Sequence, residues 1–331
     1  MESKPVVIAE AADAHYGDMG RALAMVEAAK MARADVIKFQ HHIPHEEMLR
    51  DIPMSGNMKE PLYDFLLRNA LTIDQHIALK EHCDVVGIRY LCTPFSLAAA
   101  RELESAIDPG WYKIGSGELT DLPTLMEIAS WGHPMIVSTG MATVQEITMT
   151  YDSIAPIASA LTLMNCTSAY PPRYSDVRLG FISRMRDLFP GAAVGHSDHT
   201  PSIDTAVGAL ALGATMVEKH VTIDDSLEGP DASVSVTFEE IARLVTARDR
   251  LWEARSEVKE LLPNEEEIRG WARRSLVILR DLQAGHVLQL GDVWGKRPGT
   301  GIPSARLSDF LGKRLVRDVK ADTLLSQSDV E

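Results

Sequence analysis

Eight short apolar runs, most of them closing on a polar cluster, recur along the first two-thirds of the chain. They are VVIAE (6–10), DVIKFQ (35–40), RYLCTP (89–94), WYKIGSGE (111–118), PMIVSTG (134–140), LTLMNCTSAY (161–170), AAVGHSDHT (192–200) and MVEKHVT (216–222). Helical patterns lie between them: 18–32, with Leu23, Met25, Val26 and Ala29 on one stripe, then 96–105, 122–131 and 203–213. Thr237 heads a Thr-x-x-Glu capping box that opens a long helix over 238–256. Strand and helix alternating eight times, with chemistry at strand ends, predict an α/β fold, a (β/α)8 barrel over residues 1–256.

Residues 257–272 are charged and interrupted by Pro263, which predicts a linker. From 273 to 331 the pattern changes to short β-like runs with turn glycines, a brief helical stretch at 305–312 and a basic strand. This is a compact β-rich module near the lower size limit for independent folding.

A net charge of −14 argues against nucleic acid or an anionic membrane as partner. It leaves room for an anionic ligand held by a few lysines in a cleft. Cys83, Cys92 and Cys166 are odd in number and read as reduced thiols. With no basic-then-apolar leader and no apolar run of bilayer length, a cytoplasmic location is expected.

Strand alternation turns Lys38, Gln40 and Glu10 toward the barrel interior, at the end where barrel enzymes keep their chemistry. Buried there, Lys38 and Glu10 form either a structural ion pair or part of a ligand site. Lys113, Ser116 and Glu118 follow on YKIGSGE, and Thr93, Ser138 and Ser168 close or follow other strands. Two lysines amid hydroxyls and exposed amides suit a phosphate or carboxylate, although any one Ser or Thr alone would read as a helix cap.

His199 in HSDHT and His220 in EKHVT fall on adjacent strands and are either core histidines or ligands of one divalent ion such as Mn, Zn or Co. His15, His196 and Asp198 are weaker candidates for the same site. Asp231 in EGPDAS is placed to reach over the mouth. Arg297 in KRPGTGI sits on a stiff loop, where solvation at the surface is the plain reading.

Together KFQ, CTPF, YKIGSGE, STGMAT, CTSAYPPRYSDVRL, GHSDHT, EKHVT, EGPDAS and KRPGTGI resemble the signature segments of the sialic acid synthase family. The resemblance spans nearly the whole chain, and the C-terminal module is similar to the antifreeze-like (SAF) domain. It implies condensation of phosphoenolpyruvate with an N-acyl hexosamine, N-acetylmannosamine giving N-acetylneuraminate, with phosphate released by C–O cleavage. It assigns Lys38, Thr93, Lys113, Ser116, Ser138, Ser168 and Ser197 to phosphoenolpyruvate. Gln40, Asn57, Asp64, Tyr170 and Asp231, with Glu10, fall to the sugar, and Glu118 to the attacking water. His199 and His220 would hold a divalent metal, manganese first, with magnesium or cobalt as alternatives. Trp271 and Arg297 would reach the sugar from the partner subunit of a domain-swapped homodimer.

Two positions depart from the family pattern Glu-x-Gly-x-Asn-His-x-Gly. Ala12 stands for its Gly and Ala14 for its Asn, which puts the identity of the sugar, rather than the reaction, in question. HIPHEEM (42–48) and PMSGN (53–57) lean toward the N-acetylneuraminate type over the pseudaminate type, and a legionaminate-like product from a diacetamido hexose is the alternative. An ice-binding protein would need a flat apolar face on the last module, whose sequence is instead basic.

Overall fold

The computed structural model describes residues 3–53, 58, 60–224 and 229–331. The chain divides into two compact units, Met1–Arg255 and Ser256–Glu331.

The first unit runs β1 (Val6–Glu10), α1 (Met19–Met31), β2 (Val36–His41), α2 (Pro44–Glu47), α3 (Leu62–Asn69), α4 (Ile73–Val86), β3 (Arg89–Pro94) and α5 (Leu97–Ala106). It continues β4 (Tyr112–Ile114), α6 (Leu122–Ser130), β5 (Met135–Ser138), α7 (Val144–Ile154), β6 (Leu161–Cys166) and α8 (Phe181–Leu188). It ends β7 (Ala193–Asp198), α9 (Asp204–Ala211), β8 (Met216–Thr222), β9 (Val236–Thr237) and α10 (Phe238–Ala254). Parallel pairing follows the path β3-β2-β1-β8-β7-β6-β5-β4. The path's two ends lie side by side, and the Trp111 indole N–H donates to the Tyr90 carbonyl across the seam at 3.1 Å. This is the expected barrel.

Side-chain parity builds its layers. Val7, Ala9, Ile37, Phe39, Val137 and Val217 point outward into the core shared with the helices. Inward, Ile8, Val36, Leu91, Ile136, Met164 and Met216 close the barrel as an apolar floor, with Trp111 packed against it. Two residues further along the same strands stand Glu10, Lys38, Thr93, Ser138, Cys166, Glu218 and Lys113. On β7 the pair is Gly195 and Ser197, and a Cβ at Gly195 would overlap Met164 Sδ and meet Met216 Cγ at 2.8 Å. One step of the pleat therefore separates floor from chemistry on all eight strands.

Thr72, Thr143 and Thr237 each form a reciprocal capping box at the start of α4, α7 and α10. The sequence patterns left α4, α7 and α8 unassigned. Charged residues are interleaved through α4, and its signal is the cap and the C-terminal Gly87 at φ 78°. Among the described residues, no helix is long and apolar enough to cross a membrane.

Ala12 and Tyr16, in the loop after β1, have φ values of 42° and 52°. An L-residue in this left-handed region is strained by about 1–2 kcal/mol, so Ala12 occupies a conformation that suits the glycine it replaces. Ala12→Gly is expected to raise stability by about 0.5–1 kcal/mol, read as a higher melting temperature. An unchanged or lower value would mean that buried Ala12 gains more from packing than it loses to strain.

The second unit holds α11 (Pro263–Ala272), β10 (Ser275–Ile278) and β11 (Val293–Lys296), the strands antiparallel. Pro263 does not interrupt the chain here. It starts α11, because a first helical residue needs no N–H partner, so much of the expected linker is helical. The stretch expected as helix over 305–312 is a 3-10 turn, Ser304–Asp309. The expected basic strand is reduced to single bridges at Arg314, Leu315 and Val319. Leu276, Ile278, Leu288, Val293, Phe310 and Leu325 form this unit's own core.

Candidate active site

Above the apolar floor the inward polar layer closes into a buried ion cluster. Lys38 Nζ lies 2.8 Å from Glu10 Oε2 and donates to Thr93 Oγ1 at 3.0 Å. Lys113 Nζ donates to Ser138 Oγ at 2.8 Å and to the Ile114 carbonyl at 3.2 Å. Glu218 Oε1 sits between the two ammonium groups, 3.6 Å from Lys38 and 3.5 Å from Lys113, and accepts from Ser197 Oγ at 3.1 Å. Burial opposes the Lys38 charge, but Glu10 and Glu218 outweigh it and raise the pKa. For Lys113 burial wins and the pKa falls, Glu218 offsetting it in part. Two ammonium groups and two carboxyl groups thus meet in one buried layer, and an ammonium has three N–H donors. Each lysine has two short contacts, and the shared Glu218 carboxylate is the third neighbour of both.

These residues line one cavity of about 400 Å³. The same lining includes Gln40, Ser116, Glu118, Ser168, Tyr170, His199, His220 and Asp231. Gln40 donates to Glu10 Oε1 at 2.6 Å. Ser116 Oγ accepts the Gly140 N–H at 3.0 Å. A Cβ on Gly140 would overlap Ser168 Oγ and come within 2.7 Å of Ser116 Oγ. Gly140→Ala is therefore expected to raise the KM for an anionic substrate at least tenfold by displacing both hydroxyls, with the melting temperature almost unchanged. An unaltered KM would remove these serines from the ligand's cradle.

Glu118 stands where β4 turns toward α6. Its buried Oε2 has no hydrogen-bond partner among the described residues and lies close above Gly115, where any side chain would collide with it. Burial, followed by the charge of Glu47, pushes its carboxyl up to about 7 against the opposing pull of its own backbone N–H, Lys113 and His42. A carboxyl titrating near neutrality in a cavity is suited to proton transfer.

On the opposite strands, the His199 and His220 rings are 5.2 Å apart. His199 Nδ1 bonds the Thr167 carbonyl at 2.8 Å, which leaves Nε2 facing the cavity, 3.2 Å from Tyr170 Oη. Among the described residues, the buried His220 Nδ1 has no hydrogen-bond partner; it lies 3.6 Å from Asp231 Oδ2. A ring nitrogen fixed on a backbone carbonyl and an orphaned buried nitrogen fit a divalent cation. Among the described residues no third His, Cys, Asp or Glu completes a ligand set.

Several expected residues lie elsewhere. Asp64, on α3, is half-exposed and paired with Arg50 at 3.1 Å, outside the cavity lining. His15 accepts the Gly17 N–H, and His196 points outward to Asn165. Asp198 points outward too, its carboxylate held by Thr200 and Thr205, so none of these three joins His199 and His220. Asn57 lies outside the described residues. In the second unit, the Arg297 guanidinium lies 5.3 Å from the Trp271 ring centroid and donates to the Ala272 carbonyl at 3.1 Å.

Conversely, the sequence reading passed over Glu218 and Cys166. Both share the parity of the assigned lysines, which is the signal that finds them.

A family model described as the NeuB family matches residues 25–260, and a SAF-domain model matches 273–331. The chain belongs to the NeuB family. It is thus a phosphoenolpyruvate-dependent condensing enzyme of the nonulosonic acid synthases, with a C-terminal SAF domain. It is 35% identical to the N,N'-diacetyllegionaminic acid synthase of Legionella pneumophila, over 98% of this chain and 94% of that protein. The human N-acetylneuraminate-9-phosphate synthase is 29% identical over 98% and 92%. Among solved structures, the N-acetylneuraminic acid synthetase of Leptospira borgpetersenii, in complex with citrate, superposes with a TM-score of 0.73. Its identity is 28%, over 81% of this chain and 90% of that one.

Proposed function

We propose that this NeuB-family enzyme joins C3 of phosphoenolpyruvate to the open-chain aldehyde of N-acetylmannosamine, giving N-acetylneuraminate and phosphate. The observation that carries the reading is the cavity itself, with two buried lysines on one side and a histidine pair on the other. Lys38 and Lys113, with Thr93, Ser116, Ser138, Ser168 and Ser197, hold the phosphate and carboxylate of phosphoenolpyruvate by charge-assisted hydrogen bonds. His199 and His220 would hold a divalent ion, manganese by preference, which would supply Lewis acidity for the aldehyde.

The electron pair of the enol double bond forms the new C–C bond, the aldehyde oxygen gains a proton, and C2 becomes electron-poor. Glu118 orients water toward C2 and takes one of its protons, which makes good the proton gained by the aldehyde oxygen; the C2 hydroxyl gives its other proton to the departing phosphate as the C2–O bond breaks and C2 becomes the ketone. Glu10, Gln40, Tyr170 and Asp231 orient the acceptor. We assign the reaction to the cytoplasm and the enzyme to a domain-swapped homodimer, in which Arg297 and Trp271 of one subunit read the partner's N-acyl group. Arg297→Ala should then raise the sugar's KM at least tenfold and leave that of phosphoenolpyruvate within about twofold, since an arginine hydrogen bond accounts for about 1.5–3 kcal/mol. Equal effects on both would remove the SAF domain from sugar recognition.

A second acceptor, a 2,4-diacetamido hexose giving a legionaminate-like acid, is favoured by the Legionella relative and by Ala14 in place of the family's Asn. The test is phosphate release from phosphoenolpyruvate after chelation and Mn²⁺ readdition, with each sugar supplied separately. Metal-dependent release with one sugar names the acceptor, and release with neither overturns both readings.

A further inference from the structure

Lys219 is fully buried, yet it does not face the cavity. It lies between Glu218 and His220 on β8, with its side chain on the outer, helix-facing side of the strand. Its register partner on β7 is Asp198, the residue before His199. The Lys219 ammonium donates to the Asp198 carbonyl at 3.3 Å and to the Thr200 carbonyl, the two carbonyls flanking His199. It also lies 3.7 Å from Asp198 Oδ2.

The Asp198 carboxylate is held in turn by the Thr200 N–H at 2.9 Å and the Thr205 hydroxyl at 2.7 Å. Thr200 Oγ1 and Thr205 Oγ1 are 2.8 Å apart, and Thr200 Oγ1 donates to the Ser202 carbonyl at 3.1 Å. The backbone that carries His199 is therefore tied on both sides to the residue preceding His220. A buried ion pair is weak as a source of stability, and its best-attested use is to fix geometry.

We propose that Lys219 is a positioning residue for the histidine pair: its ammonium, with Asp198 and Thr205, fixes the separation of His199 and His220 at the spacing a divalent cation needs. The inference rests on the metal reading above. Lys219 touches neither the cavity nor its ligands and acts only through the backbone on either side of His199.

The experiment is a Mn²⁺ titration of the full-length protein followed by calorimetry, with phosphoenolpyruvate binding to the chelated protein measured in parallel. Lys219→Met keeps the length of the side chain and removes the donor. It should weaken Mn²⁺ binding by about 10–100-fold, the range for groups that orient metal ligands, with phosphoenolpyruvate affinity within about twofold of wild type. Thr205→Val is the milder variant, should Lys219→Met not fold; a smaller loss confined to Mn²⁺ is expected, and Thr205→Ser should restore it. Unchanged Mn²⁺ affinity in a folded variant overturns the proposal. Equal losses of both ligands overturn it too, because they mark general damage to the barrel. A wild-type protein that takes up no Mn²⁺ overturns the metal reading, and the brace falls with it.

Discussion

Glu118→Gln is expected to lower turnover by about 100-fold or more while phosphoenolpyruvate still binds, because an acid–base group is lost and the lysine cradle is untouched. Burial holds the Glu118 carboxyl near 7, so the wild-type rate should rise through neutral pH as the base form appears. The Gln variant should lack that limb. Stability supplies a second readout with a defined sign. A carboxyl whose folded pKa is raised releases its proton more readily in the unfolded chain, so stability falls between the ordinary value of 4.5 and about 7. Above neutrality the Gln variant should therefore be the more stable protein, by up to about 3 kcal/mol. A variant with wild-type turnover would remove Glu118 from the mechanism; one that is slower but no more stable would mean that the wild-type carboxylate is not strained.

Asp292→Ala should unfold most of the SAF domain's ordered core. The Asp292 side chain is buried and accepts four hydrogen bonds: from Arg280 Nε at 2.8 Å and Nη2 at 2.6 Å, from His286 Nε2 at 2.7 Å, and from the Gln289 N–H at 2.8 Å. Removing the acceptor leaves the inner donors unmatched, at about 3 kcal/mol. A module of this size has a margin of only about 3–5 kcal/mol. Hydrogen exchange at Leu276, Ile278 and Val293 in the full-length protein should quicken by two orders of magnitude, while barrel amides keep their protection. Burial opposes the charge, but His286, Gln289 and Arg280 hold the Asp292 carboxyl below its usual range. Its contribution is thus complete above about pH 4 and is lost as pH falls through the lowered folded value. Unchanged exchange in the variant would show that Arg280 and His286 find water as a sufficient partner.

The barrel was legible because eight apolar runs alternate with helical patterns and close on polar ends; most boundaries moved by a residue or two, but β4 and β6 end four residues earlier than their runs. Lys38, Lys113, Thr93 and Ser138 were legible from strand ends and alternation, whereas Ser197 came only from the family resemblance. Glu218 was missed because it sits mid-strand between Met216 and His220, with no turn or glycine to draw the eye, although its parity matches theirs. Asp64 stands apart for a different reason: it lies on α3, where packing sets which face turns inward, and it pairs with Arg50 outside the cavity lining. Pro263 was misread because proline ends helices and also starts them, and only the backbone before it decides which. Asp198 and His196 occur in the same HSDHT run as His199, yet strand parity sends them outward.

The two-residue step between floor and polar layer has a consequence for how this enzyme tolerates change. Inserting or deleting a single residue inside any barrel strand would turn a floor residue outward and carry a charge into the helix-facing core, so folding and activity fail together. A loop beyond a strand can gain or lose residues without moving that register. Loop exchange accordingly leaves the strand-borne Lys38, Thr93, Lys113 and Ser138 in place, whereas Ser116, Gly140 and Ser168, which follow β4, β5 and β6, move with their loops.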